Sequence, residues 1–334
     1  MHNYGVSTEV VRLVLALGII VSTLVYERWR LTGGAAMVAG YLGLFIDRPL
    51  YIVTTVVLAV ATYYLVQHVI ARRMFLYGRR RLIIMVLTGL ILQLFTGLIA
   101  YLTSQDIIWL TGLYGVGFVL PGLIAQDMER QGIAKTVLTA LGTALLTFVL
   151  FRGVLAMKAY LPIDWSSSPS AEQITLYSYH IQLLLPAVVI SVMASALLYE
   201  WTGTRSGGFL TAAYAALFIL QPLHLLFILG IGLLVYLFVT HFLMQYTPIF
   251  GRTKFAMMVL TGLVLTWTLE VIMTQGGIQN LFIPAGFSVI SSIIAALIAN
   301  DGERQGVPKT LAGVTICTLV VFVAIKGIDL LVLS

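Results

Sequence analysis

A set of polar residues in the first half of the chain recurs in the second half at a nearly constant distance. Tyr26-Glu27 reappears as Tyr199-Glu200, 173 residues later. One inserted residue then moves the offset to 174, at which Glu129-Arg130-Gln131-Gly132 matches Glu303-Arg304-Gln305-Gly306. Chance similarity between apolar segments does not keep polar positions in register. The sequence therefore predicts two tandem copies of one structural unit.

The amino-acid composition excludes a water-soluble globular fold. Of 334 residues, 60% are apolar and only 10% are charged, and the mean hydropathy is +1.02. A soluble core cannot cover that much apolar surface, so lipid must surround most of the chain. At ~20 apolar residues per spanning helix, the length allows roughly ten to twelve transmembrane helices. We therefore predict an all-α polytopic membrane protein of two parallel tandem repeats, each with about six helices of which one is short.

The apolar segments and the linker between the copies give the predicted boundaries. The first repeat is predicted at 1–161, an extracytoplasmic linker at 162–178, and the second repeat at 179–334. The segment 33–46 is shorter than the roughly 17 residues that a spanning helix needs, so it predicts a re-entrant or core-buried helix. Further helices of the first repeat are predicted near 8–26, 50–70, 82–103, 107–125 and 134–158, with matching helices in the second.

The distribution of positive charge predicts the orientation. Six crossings per unit keep the two copies parallel, whereas five would invert the second. With six crossings and an extracytoplasmic N-terminus, the cytoplasmic loops collect 14 of the 19 Lys and Arg residues, as the positive-inside tendency requires. We therefore predict a multi-pass protein of the bacterial cytoplasmic (inner) membrane. The net charge of +6 has the same origin and does not indicate nucleic-acid binding.

The repeated polar loops at Glu129-Arg130-Gln131 and Glu303-Arg304-Gln305 admit two interpretations. One is a tight cytoplasmic turn, in which Gly supplies an unusual backbone conformation and the charges satisfy each other or the helix ends. The other is a docking or substrate surface, on which the arginines present planar donors to carboxylates. Glu27 and Glu200 each close a first helix, and we expect them to form helix-end salt bridges or to pair with these arginines.

A second cationic surface is predicted on the cytoplasmic side of the first repeat. Arg72-Arg73 is followed closely by Arg79-Arg80-Arg81, whereas the second repeat keeps only Arg252 and Lys254. Attraction to anionic lipid headgroups explains such a surface, and binding of an acidic polymer or protein is the alternative.

Three ionisable residues fall within otherwise apolar helices. Arg152 and Lys326 occupy equivalent positions in the two last helices, where they are expected to snorkel to the outer interface or to line a path for an anionic polymer. Glu270 has no acidic counterpart, because the equivalent residue is Gly97. An unpaired carboxylate at that depth is costly, so we expect a partner or a neutral state.

The sequence contains no recognisable catalytic, metal or nucleotide site. Cys317 is the only cysteine, and His68 and His241 are isolated from thiols and carboxylates. Neither a phosphate-cradling Gly-rich loop nor a serine nucleophile elbow is present. We expect no metal and no cofactor, and any ATP-driven reaction would need another subunit.

Several short motifs occur in the first repeat in this order: Gly34, Gly40-Tyr41-Leu42-Gly43-Leu44, Pro49, Tyr77-Gly78-Arg79-Arg80, Thr88-Gly89 and Pro121-Gly122-Leu123-Ile124-Ala125. Together they resemble the PgsC/CapC family of poly-γ-glutamate biosynthesis proteins. The similarity covers the whole first repeat and extends more loosely over the second, in which Ala295-Ala296 stands where the first has Pro121-Gly122. The usual family member resembles a single unit, so this chain resembles a tandem duplication of it.

The resemblance implies a membrane subunit of a poly-γ-glutamate synthesis and export complex. Its partners would be a cytoplasmic ATP-dependent amide ligase of the PgsB/CapB type, an anchored subunit of the PgsA/CapA type, membrane lipids and the anionic polyglutamate chain. The ligase would carry the chemistry, so this chain is not expected to be an enzyme by itself. The alternative is an autonomous secondary transporter of a small anion, because repeated helical units with short helices also build substrate sites near the midplane.

Overall fold

The structure is a computed structural model that describes residues 8–102, 116–157, 177–180, 183–247, 249–275 and 288–332. Within these ranges every regular element is a helix, as the sequence predicts. The chain divides into two compact units, residues 1–168 and 169–334.

Apart from the single helical turn Met244–Tyr246, each unit contains six α-helices in the described residues. A π-helical turn, Val66–Ile70 in the first unit and Phe238–Leu243 in the second, extends the third helix of each. A 3-10 turn, Val116–Val119, precedes the fifth helix of the first unit. The first unit has α1 (Thr8–Trp29), α2 (Ala35–Leu44), α3 (Pro49–Leu65), α4 (Gly78–Leu102), α5 (Leu120–Gln131) and α6 (Ile133–Met157). The second has α7 (Leu184–Thr202), α8 (Thr211–Leu217), α9 (Pro222–Leu237), α10 (Gly251–Gln275), α11 (Ser288–Gln305) and α12 (Val307–Val332).

Eight of the described helices are long and apolar enough to cross a membrane, so the chain is a multi-pass membrane protein. They are α1, α3, α4 and α6 in the first unit and α7, α9, α10 and α12 in the second. The two remaining helices of each unit are shorter or more polar. With 10 residues, α2 is only about 15 Å long, half the thickness of a hydrocarbon core.

The short helices form the centre of the units. In the first unit, α2 packs between α1 and α6, and α5 packs between α3 and α4. Residues Met37 to Gly43 are all buried, so the 33–46 segment is the core-buried helix that its length allowed. Glycines permit this close approach, because a Cβ built on Gly18 of α1 would lie 2.2 Å from the backbone nitrogen of Gly40. The long helices meanwhile expose aliphatic side chains outward, where lipid solvates them.

Although α2 is short, the segment 32–47 reaches from one end of its unit to the other. Thr32 hydrogen-bonds with Gln131 beside the start of α6, and Asp47 lies 3.7 Å from Arg152 near the other end of α6. Ile133 and Arg152 are about 28 Å apart along that helix. Non-helical residues on both sides of α2 supply the missing length. The N-terminus of α1 and the C-terminus of α6 therefore both lie at the end of the unit that contains Asp47.

One predicted boundary needs correction. We expected a helix at 107–125 followed by a polar loop, but α5 continues to Gln131, so Glu129, Arg130 and Gln131 lie in its last turn. The helix ends only at Gly132, whose φ of +91° places it in a conformation that favours glycine. Gly306, also at +91°, ends α11 after Glu303-Arg304-Gln305 in the same way. Residues 107–115 lie outside the described ranges.

Candidate functional site

Most of the predicted polar residues gather at one end of each unit, which we call the charged end. In the first unit it consists of the ends of α1, α3 and α5 and the starts of α2, α4 and α6. Arg81 at the start of α4 forms an ion pair with Glu129 in the last turn of α5, with 2.5 Å between Nη1 and Oε1. Arg81 also donates a hydrogen bond of 2.6 Å to Oε1 of Gln67, in the π-helical turn after α3. This arginine therefore ties three helix ends together.

Gln131 joins the start of α2 to the α5–α6 corner. Its Oε1 accepts a hydrogen bond of 3.2 Å from the backbone N–H of Thr32, and its Nε2 donates to the carbonyl of the same residue. Nε2 also donates to Oγ1 of Thr136 at 3.0 Å. The amide side chain thus pairs with both backbone groups of Thr32, as a neighbouring strand would. Such pairing satisfies backbone groups that lie outside any helix.

Asp127 is a site residue that sequence reasoning did not select. Its side chain is fully buried, and Oδ2 accepts a hydrogen bond of 2.9 Å from the backbone N–H of Gly34, which immediately precedes α2. The positive end of the α2 dipole favours a carboxylate at this place. The available signal was the recurrence of this acid as Asp301, four residues before the second Gln.

The second unit repeats this arrangement with different residues. Lys254 replaces Arg81 and contacts Glu303 at 2.5 Å. The Oε1 of Gln305 accepts from the backbone N–H of Arg205 at 2.7 Å, and its Nε2 donates to the Arg205 carbonyl at 2.8 Å. Asp301 is buried, and its Oδ1 lies 3.5 Å from Nη1 of Arg205. Glu, Gln and Asp of the repeated motif therefore fasten helix ends in both units.

The arginine of each motif is exposed. Arg130 and Arg304 lie in the last turns of α5 and α11, and neither forms an ion pair or side-chain hydrogen bond with the described residues. Arg80 is also exposed, Arg79 and Arg252 are half-buried, and all three have contacts within the structure. The charged end therefore combines fastened acids with cations that point into solvent.

The two glutamates that close the first helices are both exposed, and Glu200 has a contact within the structure. Glu27 is exposed at the end of α1 and forms no ion pair with any described residue, so the pairing that we expected is absent for it. The nearby Arg30 instead places its guanidinium 5.5 Å from the ring centre of Tyr26. Glu200 occupies the equivalent exposed position at the end of α7.

Arg152 lies at the opposite end of the first unit from the charged end. It stands 3.7 Å from Asp47 and 5.1 Å from the centre of the Phe148 ring, and both charged side chains are exposed. Glu270 is half-buried within α10 and is not isolated from other residues.

Lys326 is part of a cluster in the second unit. Its Nζ donates to the carbonyl of Ser178 at 2.9 Å and lies 3.3 Å from Asp329, whose other oxygen contacts His180 at 2.8 Å. Ser178 in turn bonds to the carbonyls at the end of α8, and Tyr179 donates to the carbonyl of Ala213. Burial raises the pKa of Tyr179. The lysine therefore fastens the segment before α7.

In the described part of the chain, no group of three His, Cys, Asp or Glu side chains is placed to hold a metal ion.

One ion pair with a buried arginine was not anticipated from the sequence. Arg12 of α1 is almost fully buried and pairs with Glu9 at 3.0 Å. Arg12 has Leu185 as its equivalent in the second repeat, so the repeat pattern gave no signal for it.

Comparison with known proteins gives one family and two close relatives. The profile of the family described as "Capsule biosynthesis CapC" matches residues 17–137 and again 190–311. "PGA biosynthesis protein CapC" of Bacillus subtilis (strain 168) is 30% identical over 122 residues, which are 36% of this chain and 80% of the relative. "Capsule biosynthesis protein CapC" of Bacillus anthracis is 30% identical over 138 residues, which are 41% of this chain and 91% of the relative. No solved structure matches.

Proposed function

The chain belongs to the capsule biosynthesis CapC family, and from that premise we propose that it serves poly-γ-glutamate synthesis as a membrane subunit with two copies of the family unit. Each relative is matched over most of its own length by about two-fifths of this chain, which supports the correspondence of one relative to one copy. A role in the biosynthesis of a capsule or PGA follows from the names of both relatives. The specific partners and the path of the polymer are further parts of the proposal.

The exposed arginines of the two repeated motifs carry the proposal. Arg130 and Arg304 occupy equivalent places, and both point into solvent beside carboxylates that are already paired. Because Glu129 and Glu303 are neutralised by Arg81 and Lys254, the remaining surface is positive. A surface of this kind attracts a polyanion over a distance of about one Debye length, roughly 8 Å at physiological salt. A γ-linked glutamate polymer carries one carboxylate per residue and fits that requirement.

The reaction itself is assigned to a partner. No catalytic constellation exists in the sequence, so a cytoplasmic ligase of the PgsB/CapB type is proposed to form the amide bonds, with an anchored PgsA/CapA-type subunit completing the complex. The charged end is proposed to face the cytoplasm, where it holds the ligase or the growing chain near the membrane. Guanidinium groups suit this task, because they bind carboxylates through two parallel hydrogen bonds.

The test reverses three charges at once. In a cell that makes the polymer, the variant Arg79→Glu/Arg130→Glu/Arg304→Glu is expected to lower polymer output strongly while the protein level in the membrane stays normal. The control is Arg48→Glu, which alters an exposed arginine that precedes α3 at the opposite end of the unit. Unchanged polymer output from the triple variant at normal protein level would contradict the proposal.

An autonomous secondary transporter of a small anion is the competing function, and Glu270 is the observation that favours it, because it is a half-buried carboxylate within a spanning helix. A groove of about 200 Å³ beside α8 does not suit an anion, since its lining is aliphatic apart from three threonines. Uptake of glutamate by the purified protein in liposomes without a ligase would favour the transporter. Dependence of polymer synthesis on a ligase that copurifies with the chain would favour the synthase subunit.

A further inference from the structure

The loop 71–77 joins α3 to α4 and has an ordered shape. The backbone N–H of Ala71 donates to the Val66 carbonyl at 2.8 Å, and those of Arg73 and Met74 donate to the Ile70 carbonyl at 3.0 Å. Leu76, only 5% exposed, packs in a cluster with Val66, Met85 and Ala125. The loop is therefore fixed to the unit at both its start and its end.

Because the Leu76 side chain packs into the unit, the side chains of the residues before and after it point outward. Phe75 is 87% exposed and Tyr77 is 78% exposed, an unusual state for two large aromatic side chains. Arg72 and Arg73 of the same loop are also exposed, and neither forms an ion pair with the described residues. Aromatic rings and unpaired guanidinium groups thus share one short, ordered loop.

The position of this loop indicates what it contacts. It connects two helices that can each cross a membrane, Pro49–Ile70 and Gly78–Leu98. A connection of seven residues cannot leave the membrane surface by any large distance, so the loop lies at headgroup level. Aromatic side chains favour that level, and arginines there are attracted to anionic lipid.

The second unit provides an internal comparison. An exposed aromatic residue recurs, because Phe250 is 71% exposed at the position of Tyr77. The arginine pair does not recur, since Gln245 and Tyr246 stand at the positions of Arg72 and Arg73. An exposed aromatic side chain at this position is therefore common to both units, whereas the arginine pair is confined to the first.

We propose that the loop 71–77 binds the headgroup of an anionic phospholipid, with Arg72 and Arg73 on the phosphate and Phe75 and Tyr77 seated between the lipid headgroups. This site goes beyond the proposed function, because it concerns the bilayer and neither the polymer nor the ligase. It fixes the charged end of the first unit against the membrane surface, and the second unit lacks it.

Native mass spectrometry of the purified full chain in mixed micelles of phosphatidylglycerol and phosphatidylcholine tests the site. Arg72→Gln/Arg73→Gln is expected to weaken phosphatidylglycerol binding on the order of 30-fold, because each arginine near an anionic surface raises the binding affinity about fivefold. Phosphatidylcholine binding should not change. The matched control, Arg130→Gln/Arg304→Gln, removes the same charge from outside the loop and should leave phosphatidylglycerol binding unchanged.

A gain of binding provides the second arm, which does not depend on the stability of the loop variant. Gln245→Arg/Tyr246→Arg adds the missing charges beside Phe250 and is expected to add one bound phosphatidylglycerol. Two results would overturn the proposed site. One is an equal loss of phosphatidylglycerol binding in the two double glutamine variants, and the other is the absence of an added lipid in Gln245→Arg/Tyr246→Arg. Retention of lipid together with loss of a copurifying protein or of polyglutamate would equally overturn it, because the loop would then bind that partner.

Discussion

Arg81 and Glu129 form an ion pair across α4 and α5, and the partly exposed pair has an exact positional equivalent in Lys254 and Glu303. The two cations differ in shape, and the Arg81 guanidinium also contacts Gln67. The repeat therefore preserves the sign of each charge and the distance between them. It does not preserve the number of hydrogen bonds that the cation makes.

Reversing one partner of the second pair should destabilise the protein, and reversing both should restore it. Glu303→Lys places two cations together and is expected to cost about 3–5 kcal/mol because Lys254 is buried, with a similar cost for Lys254→Glu. The double variant Lys254→Glu/Glu303→Lys should recover most of the loss. Thermal unfolding of the purified protein in detergent measures the three variants. Additive losses in the double variant would show that the contact contributes nothing.

Gln131 should be far more important for stability than the residue beside it. Gln131→Ala leaves the N–H and carbonyl of Thr32 without their partner and is expected to cost about 1–3 kcal/mol. Arg130→Ala, an exposed change in the same helical turn, should stay within about 0.5 kcal/mol. Unfolding temperatures in the same detergent compare the two, and equal stability of both variants would contradict the assignment.

Gly18 should tolerate no side chain. Its Cβ would lie 2.2 Å from the backbone nitrogen of Gly40, so Gly18→Ala must push α1 and α2 apart and is expected to cost at least about 1–3 kcal/mol. Gly142→Ala in α6 is the control, because nothing lies within 4 Å of a Cβ there. The control should be neutral or more stable, since alanine is the better helix former. Yield of monodisperse protein and unfolding temperature report both effects.

The predicted orientation can be read from cysteine labelling. After Cys317→Ser removes the buried native thiol, single variants Arg48→Cys and Arg130→Cys place a thiol at opposite ends of the first unit. A membrane-impermeant maleimide added to intact cells should label only Arg48→Cys, and Arg130→Cys should react after the membrane is opened. Labelling of Arg130→Cys in intact cells would reverse the assignment and move the charged end outside.

The sequence supplied the helical membrane fold, the repeat and the short buried helix because apolar length and polar register are local or periodic properties. The offset also identified Gln131 and Gln305 as equivalent residues. It did not reveal that both pair with a backbone residue about 100 positions away, because such a contact exists only once α2 packs beside α6. Asp127 was missed for the same reason, since its partner Gly34 lies on a distant segment. Arg12 pairs with Glu9 within α1 and was missed because the repeat gave no signal for it.

The end of α5 shows the limit of composition as a guide to boundaries. Four of the five residues from Asp127 to Gln131 are polar, and polarity alone suggested a loop, yet the helix continues until Gly132 stops it. Charged residues prolong a helix where neighbouring helix ends satisfy them, as Arg81 does for Glu129. Pattern analysis weighs each residue by its own polarity and cannot include partners of this kind.

Residues 32–47 extend from one end of the first unit to the other, and this bears on how a chain of two units arises by gene duplication. Because α1 begins and α6 ends at the same end of the first unit, two such units can be joined by a segment outside the membrane, with no extra helix to restore the orientation of the second copy. In a family whose members are about one unit long, duplication and fusion of the gene is therefore enough to give a chain of two units. Within one fused chain the two copies can diverge separately, and Gln245-Tyr246 stands where the first copy has Arg72-Arg73.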